Sequence, residues 1–172
     1  MSDQYIDLHE NLNDGNVSAF VGAGLSIGAG LPGWYGLIGE LAGRIKIKLP
    51  EPEWVTGETL IDAAQDYVNR QGPNSLIEFL KKRLDTTGIE PTVAHQALVK
   101  LPISLIFTAN YDDLLERACR EAGKRVHVMV SDQSIAFMRR NKDLVNIVKL
   151  YGDLNLPDTI VLTREQYESF FL

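Results

Sequence analysis

The sequence contains a single cysteine, Cys119, among its 172 residues. One thiol excludes a disulfide framework within the chain and a cysteine-rich zinc site, and we expect no metal site. Cys119 lies among Leu115, Ala118 and Ala122 at helical spacing. We therefore interpret it as a small residue of the hydrophobic core.

Positive charge is also scarce. The chain has 17 Lys and Arg against 23 Asp and Glu, and its formal net charge is -6. Binding to nucleic acid needs clustered Lys and Arg. The basic run Lys81–Arg83 is short, and we interpret it as a solvated helix face. The charge pattern argues against a nucleic acid as direct partner.

Long apolar runs are missing too. We find no amino-terminal segment that resembles a signal peptide and no run of transmembrane length, which predicts a cytoplasmic protein that does not bind membranes. Hydrophobic residues make up 45% of the chain and charged residues 23%, which is typical of a globular protein. The length predicts one domain with a full core.

A short apolar stretch that breaks into glycines is the most informative feature present. Val17–Val21 has the composition of a buried parallel strand, and Gly22 and Gly24 follow it. Glycines in such a turn allow a phosphate or pyrophosphate to approach the backbone N–H groups. A tight strand-to-helix turn without a ligand is the alternative at this point.

Two further polar turns, Thr108–Asp113 and Lys149–Asp153, also follow apolar strand-like runs. In an open α/β sheet, the carboxyl ends of the strands gather at one edge and form the ligand crevice. The three turns together predict an α/β fold, a Rossmann-like parallel sheet flanked by helices, with one groove above it.

Hydrophobic spacing and turn residues predict the other elements. Strands are expected at 17–21, 104–108, 126–130, 144–150 and, as a short fifth strand, 159–162. Helices are expected at 4–12, 34–45, 60–70, 75–84, 92–100, 111–122 and 164–171, whereas 131–142 is ambiguous. Capping-box spacing is found at Thr59 with Asp62 and at Ser75 with Glu78.

The helices between the first and second strands exceed the single helix that a crossover requires. We predict that residues 48–100 form a small helical cap inserted beside the crevice. No linker or repeat divides the chain, so residues 1–172 are expected to form a single domain.

The glycine turn can be compared with two common nucleotide-binding motifs. A phosphate-binding loop of the NTPase type needs a Lys followed by Ser or Thr, which this turn lacks. A dinucleotide-binding dehydrogenase needs a third glycine, where this chain has Ile27, and an acidic residue at the end of a nearby second strand. The sequence therefore excludes an NTPase-type phosphate-binding loop and disfavours a dehydrogenase.

An ordered set of short motifs is more specific than the glycines alone. The set resembles the sirtuin-like family, and within it the bacterial NAD hydrolases that act as effectors of anti-phage defence. The similarity covers residues 16–167 and rests on Gly22–Ser26, Gly30–Trp34, Pro91 to Leu98 with His95, Thr108–Asp112, Lys149–Asp153 and Pro157–Thr163.

The resemblance implies an NAD-binding domain that cleaves the nicotinamide–ribose bond, with NAD as substrate and no metal. It implies that Asn110 holds the ribose or the attacking water and that Asp112 contacts the nicotinamide side, with Tyr151 as a third catalytic candidate. Carboxylate and amide oxygens stabilise the oxocarbenium character of such a reaction. The NAD-binding residues that it implies are Gly22, Ala23, Gly24, Ser26, Pro32, Trp34, Asn110, Asp112, Gly152 and Asp153, with the Gly22–Ser26 loop at the pyrophosphate.

The chain departs from the family's pattern at Tyr151, where members generally carry a histidine. A phenol is a poor base near neutral pH, although Tyr151 could still orient the ribose hydroxyls. The family also continues with another strand and a glycine–serine turn, so we expect its C-terminal part to be missing here. Its zinc-dependent deacylases carry four cysteines, which argues against that activity.

Several candidates have plain structural alternatives. His95 is more typical of a structural hydrogen bonder at a helix start, and Trp34 of a residue packed against the core. Asp113 could cap a helix, and Asp153 could close a turn.

The sequence thus leaves two hypotheses with a nucleotide ligand and one without. The first is an NAD glycohydrolase that serves as a defence effector, and the second is a non-catalytic sensor of NAD or ADP-ribose. The third is an oligomerising module whose pocket is vestigial. We expect NAD or an ADP-ribose nucleotide as ligand, and a homo-oligomer or a partner defence protein.

Overall fold

The computed structural model describes residues 3–136, 138 and 143–170. Within them four strands form one parallel sheet in the order β1–β2–β4–β3. The strands are β1 Ala19–Val21, β2 Leu105–Thr108, β3 Arg125–Met129 and β4 Leu144–Lys149. The predicted α/β class and the parallel, Rossmann-like sheet are confirmed.

Helices precede, connect and follow these strands. They are α1 Asp3–Asn13, α2 Gly24–Ile27, α3 Trp34–Arg44, α4 Gly57–Gln71, α5 Pro73–Arg83, α6 Val93–Lys100, α7 Leu114–Glu121, α8 Asp132–Ile135 and α9 Arg164–Phe170, with a 3-10 turn at Pro157–Thr159. Within the described part of the chain, no helix is long and apolar enough to cross a membrane.

Two apolar clusters hold these elements together. One combines β2 and β4 with α6 and α7, and Cys119 lies fully buried within it, as the sequence predicted. The other combines α3, α4 and α5 with Ile160 and Leu162. Each cluster buries one apolar face of its helices, which is what positions the loops at the strand ends.

The predicted fifth strand at 159–162 is wrong. Pro157–Thr159 forms a 3-10 turn, and the following apolar residues Ile160, Val161 and Leu162 are buried without joining the sheet. The Val161 N–H donates to the Tyr151 carbonyl, 3.0 Å away, instead of entering a ladder. The apolar pattern reflects burial against α3–α5, not strand pairing.

Both predicted capping boxes are wrong as well. The N-cap of α4 is Thr56, whose hydroxyl accepts from the Thr59 N–H at 3.2 Å, and α5 begins after Gly72 without a side-chain cap. The helix expected at 111–122 begins only at Leu114. Within the ambiguous segment 131–142, α8 is helical, and residues 137 and 139–142 lie outside the described part, as does residue 171.

α4, α5 and α6 do follow one another between β1 and β2, as expected. It remains a prediction that residues 48–100 form a cap beside the crevice. It also remains a prediction that residues 1–172 form a single domain.

Candidate functional site

The ends of β1, β2 and β4 surround a cavity of about 250 Å³. Gly22 and Ala23 follow β1, the turn Ala109–Asp112 follows β2, and Tyr151 follows β4. Parallel strands bring their carboxyl ends to one edge, which is why three distant turns line the same space. Ser26 of α2 and Trp34 of α3 complete this wall.

Most of the residues that the sequence singled out meet at this cavity. Those that line it are Gly22, Ala23, Ser26, Pro32, Trp34, Asn110, Asp112 and Tyr151. Gly24, Gly152 and Asp153 are not among the lining residues. The binding and catalytic roles of all of them remain predictions.

Neither the backbone conformation nor the packing of the protein requires glycine at positions 22 and 24. Neither has a positive φ, and a Cβ built at either position would meet no atom within 4 Å. Among the described contacts, the N–H groups of Gly22, Ala23 and Gly24 donate to no acceptor. The loop therefore offers three adjacent donors and space that a side chain would otherwise fill.

Gly152 is different, because its φ is +94° and a Cβ there would lie 2.2 Å from the Thr159 carbonyl oxygen. A close backbone approach and a left-handed conformation both require glycine at this turn.

A hydrogen-bonded chain links the polar residues of the cavity. The Ser26 hydroxyl donates to Asp112 Oδ2 at 3.0 Å and accepts from Asn110 Nδ2 at 3.1 Å. An ionised carboxylate only accepts, so Ser26 must donate to Asp112 and use its lone pairs for Asn110. This direction fixes the orientation of the Asn110 amide.

The orientation leaves Asn110 Oδ1 buried and without a hydrogen-bond partner among the described residues. Asp112 is held from the other side, since its Oδ1 accepts from the Leu114 N–H at 3.1 Å at the start of α7. A free acceptor beside a fixed carboxylate is a polar site that a ligand hydroxyl or a water can satisfy.

His95 caps α6 and lies fully buried next to this polar chain. Its Nδ1 accepts from the Thr92 N–H at 3.2 Å, and Thr92 Oγ1 lies 2.8 Å from the same nitrogen. Burial lowers the pKa of His95, and the Asp112 charge opposes this shift. Because Nδ1 accepts, the neutral ring carries its proton on Nε2, which is buried and has no hydrogen-bond partner among the described residues.

Aromatic residues and four leucines form the rest of the wall. Tyr151 lies with its ring centroid 5.4 Å from Tyr167 and 6.5 Å from Phe170. The Tyr111 hydroxyl donates to the Val161 carbonyl at 2.8 Å. Burial raises the pKa values of Tyr111 and Tyr167, so both stay neutral.

The sequence did not single out Tyr111 or Tyr167 as site residues. Tyr167 comes from α9, and only the close approach of Tyr151 to that helix, seen in the fold, places it at the cavity.

Lys149 is another residue that the sequence did not single out. It is fully buried and forms ion pairs with Glu116 at 3.0 Å and Asp153 at 2.8 Å. Desolvation alone would lower the pKa of Lys149, but the two carboxylates outweigh it and hold that pKa above its ordinary value. Burial raises the pKa of Glu116 against the influence of Lys149.

Comparisons of the sequence with known proteins point to one family. Residues 104–171 match the SIR2-like domain family. The chain is 36% identical to "NAD(+) hydrolase ThsA" of Acinetobacter baumannii over 94% of this chain and 32% of the relative. It is 32% identical to the protein of that name from Enterococcus faecium over 94% and 33% of the two chains.

A more distant relative is "Defense-associated sirtuin 2" of Bacillus subtilis, 24% identical over 95% of this chain and 16% of the relative. The chain spans about a third of the length of the NAD(+) hydrolases that it matches. The resemblance found in the motifs is thereby confirmed: residues 104–171 match a SIR2-like domain, and the chain is similar to relatives named as NAD(+) hydrolases and a defence-associated sirtuin.

Proposed function

We propose that the chain is the catalytic part of an NAD glycohydrolase that cleaves the nicotinamide–ribose bond. The observation that carries the proposal is the free, buried Oδ1 of Asn110 next to the Asp112 carboxylate at the ends of three parallel strands. The names of the NAD(+) hydrolases among the relatives support it.

In this proposal the loop after β1 holds the pyrophosphate of NAD. The unused N–H groups of Gly22, Ala23 and Gly24 suit phosphate oxygens, and the open space at the two glycines allows close approach. None of the residues found to line the cavity is a Lys, Arg or His, so backbone donors carry this interaction.

The cavity is matched to the reacting end of the dinucleotide. Its volume of about 250 Å³ is below the ~300–1,000 Å³ that usually encloses a drug-sized ligand. We therefore place only the nicotinamide and its ribose inside, against Trp34, Tyr151 and Tyr167, and the pyrophosphate at its mouth.

Cleavage breaks the bond between the ribose C1′ and the pyridinium nitrogen, and its electron pair neutralises the nicotinamide ring. The ribose then carries oxocarbenium character, which the Asp112 carboxylate and the Asn110 amide oxygen stabilise. Water adds its oxygen to C1′ and releases one proton to solvent, which gives nicotinamide and ADP-ribose. Asn110 Oδ1 accepts from the ribose hydroxyl or from that water.

A second candidate function is a non-catalytic sensor of NAD or ADP-ribose. Tyr151 at the position of the family's histidine favours it, because a phenol is a poor proton acceptor at neutral pH. As a hydrolase, the protein would act in a cytoplasmic defence system, as a homo-oligomer or with a partner defence protein. The location, the defence system and the assembly state are part of the proposal.

The products of NAD in H₂¹⁸O test the proposal. We expect the wild type to release equal amounts of nicotinamide and of ADP-ribose that carries one ¹⁸O. The Asn110→Ala variant should release neither product. Asn69→Ala, on the exposed face of α4, is the control and should react as the wild type does. Binding of NAD by calorimetry without products would establish the sensor instead. Absence of both binding and products would overturn both functions.

A further inference from the structure

The ammonium of Lys149 ties together two turns and a helix next to the cavity. Lys149 is the last residue of β4, and its side chain has no exposed surface. Its Nζ lies 3.0 Å from Glu116 Oε1 of α7 and 2.8 Å from Asp153 Oδ2 of the turn after β4. These two carboxylates compensate the positive charge of the buried ammonium.

The same nitrogen also donates to the backbone of the turn after β2. Its distances are 2.8 Å to the Asp112 carbonyl oxygen and 3.1 Å to that of Tyr111. An ammonium has three donors in a tetrahedral arrangement, and the hydrogen bonds to the Tyr111 carbonyl, the Asp112 carbonyl and the Asp153 carboxylate occupy all three. No donor is left to bind anything else.

The two carbonyls belong to the residues directly after Asn110, and all three residues line the cavity. Lys149 itself does not line the cavity, but Tyr151, two residues further along, does. A displacement of the ammonium would therefore move the walls that carry Asp112 and Tyr151 relative to each other.

We propose that Lys149 is a positioning residue for NAD hydrolysis, which holds the Asn110–Asp112 turn in its reactive geometry through the Tyr111 and Asp112 carbonyls. The inference rests on the proposed function. It separates two roles. The loop after β1, with which Lys149 shares none of the described hydrogen bonds or ion pairs, binds the nucleotide, and the turn after β2 performs the chemistry.

The separation predicts a kinetic signature. Misplacement of reacting groups by about 1 Å can cost about 100-fold in rate, whereas binding that is uniform for substrate and transition state affects KM. Loss of the ammonium should therefore lower kcat at least about tenfold and change KM for NAD less than about threefold. A lysine that only stabilised the fold would change neither in a folded variant.

The variants must keep the fold. Lys149→Met alone leaves two carboxylates without their cation, so Lys149→Met with Glu116→Met is the main variant, since apolar residues often replace buried ion pairs without loss of stability. Asp153 Oδ1 still accepts from the Asn155 N–H and Nδ2, at 2.7 and 3.0 Å. Lys124→Met is the matched control, since Lys124 also donates to a backbone carbonyl, that of Leu101 at 3.2 Å.

The experiment measures kcat and KM for NAD together with amide hydrogen exchange in the wild type and both variants. A lower kcat with nearly unchanged KM, and faster exchange in residues 109–113, would support the proposal. Wild-type kcat and exchange in the folded double variant would overturn it. If the wild type does not hydrolyse NAD, the proposed function fails, and the role of Lys149 in hydrolysis fails with it. Amide hydrogen exchange still decides whether Lys149 holds the turn after β2.

Discussion

The Ser26 hydroxyl lies 3.0 Å from Asp112 Oδ2, although 86 positions separate the two residues. Ser26 belongs to the short helix after β1 and Asp112 to the turn after β2, so this contact joins two strand ends. Because Ser26 also accepts from Asn110 Nδ2, it sets the orientation of both proposed catalytic side chains. Its own side chain is almost completely buried.

Replacing Ser26 by Ala should therefore affect both stability and activity. The change leaves Asn110 Nδ2 and one oxygen of Asp112 without their partner, which should lower the free energy of unfolding by about 1–3 kcal/mol. It also frees the Asn110 amide to turn, which should lower kcat. Denaturant unfolding and nicotinamide release measure the two effects.

Ser169→Ala is the matched control, because the Ser169 hydroxyl donates to the Glu165 carbonyl on the exposed face of α9. A Ser26→Ala variant with the stability and kcat of this control would contradict the linked role of the three side chains.

Gly22→Ala and Gly24→Ala should weaken nucleotide binding without loss of the fold. Each new Cβ enters space that is empty in the protein and that we assign to the pyrophosphate. We expect affinity for ADP-ribose, measured by calorimetry, to fall at least about tenfold, while the free energy of unfolding is unchanged or slightly higher.

Two other glycines provide the controls for this test. Gly43→Ala in α3 also enters open space but far along the helix, so it should raise stability by about 1 kcal/mol and leave affinity unchanged. Gly152→Ala would meet the Thr159 carbonyl and should unfold the turn. Full ADP-ribose affinity in both loop variants would remove the loop from the site.

Tyr151→His should raise kcat for NAD hydrolysis if a missing proton acceptor limits the reaction. An imidazole accepts a proton near neutral pH, and a general base typically contributes 10²–10⁴-fold, so we expect a gain of about tenfold or more. Tyr151→Phe keeps the ring next to Tyr167 and removes the hydroxyl. Equal kcat values for the two variants would show that proton acceptance is not the bottleneck.

The buried Cys119 thiol predicts a specific loss of stability at alkaline pH. Burial raises the pKa of Cys119 to about 11. Between pH 9 and 11 the thiol ionises in the unfolded chain but not in the folded one, so the unfolded state binds fewer protons and stability falls as pH rises. The loss should reach about 2–3 kcal/mol.

The contribution of the thiol is the difference in the free energy of unfolding between the wild type and Cys119→Ala, since the other buried groups titrate in both proteins. Denaturant unfolding at pH 8, 9, 10 and 11 measures it. A difference in the free energy of unfolding that does not change over this range would contradict a buried, neutral thiol.

Much of the fold follows from local patterns in the sequence. The strands and most helices were predicted because their apolar residues recur with the period of the element, as in β4 and α3. The fifth strand was wrong because Ile160 and Leu162 are apolar for a different reason, burial against α3–α5. Sequence periodicity alone does not distinguish a paired strand from a buried irregular segment.

The sequence predicted some of the residues at the candidate site and missed others, and the difference has a physical basis. Residues at strand ends, such as Gly22, Asn110 and Tyr151, could be brought together because parallel strands share one edge. The roles of Lys149 and Tyr167 depend on which helices pack behind and beside that edge, and no local pattern specifies this packing. The structure pairs the Asp153 carboxylate with Lys149, and contact of Asp153 with the ligand stays a prediction.

The central claim is that the ends of β1, β2 and β4 form one NAD site, and amide hydrogen exchange with and without NAD tests it most directly. Asn110→Ala, which should not consume the nucleotide, is the protein to use. We predict that NAD slows exchange together in residues 21–27, 108–113 and 150–152 and leaves β3 unchanged. Unchanged exchange in these three segments at saturating NAD would contradict the account.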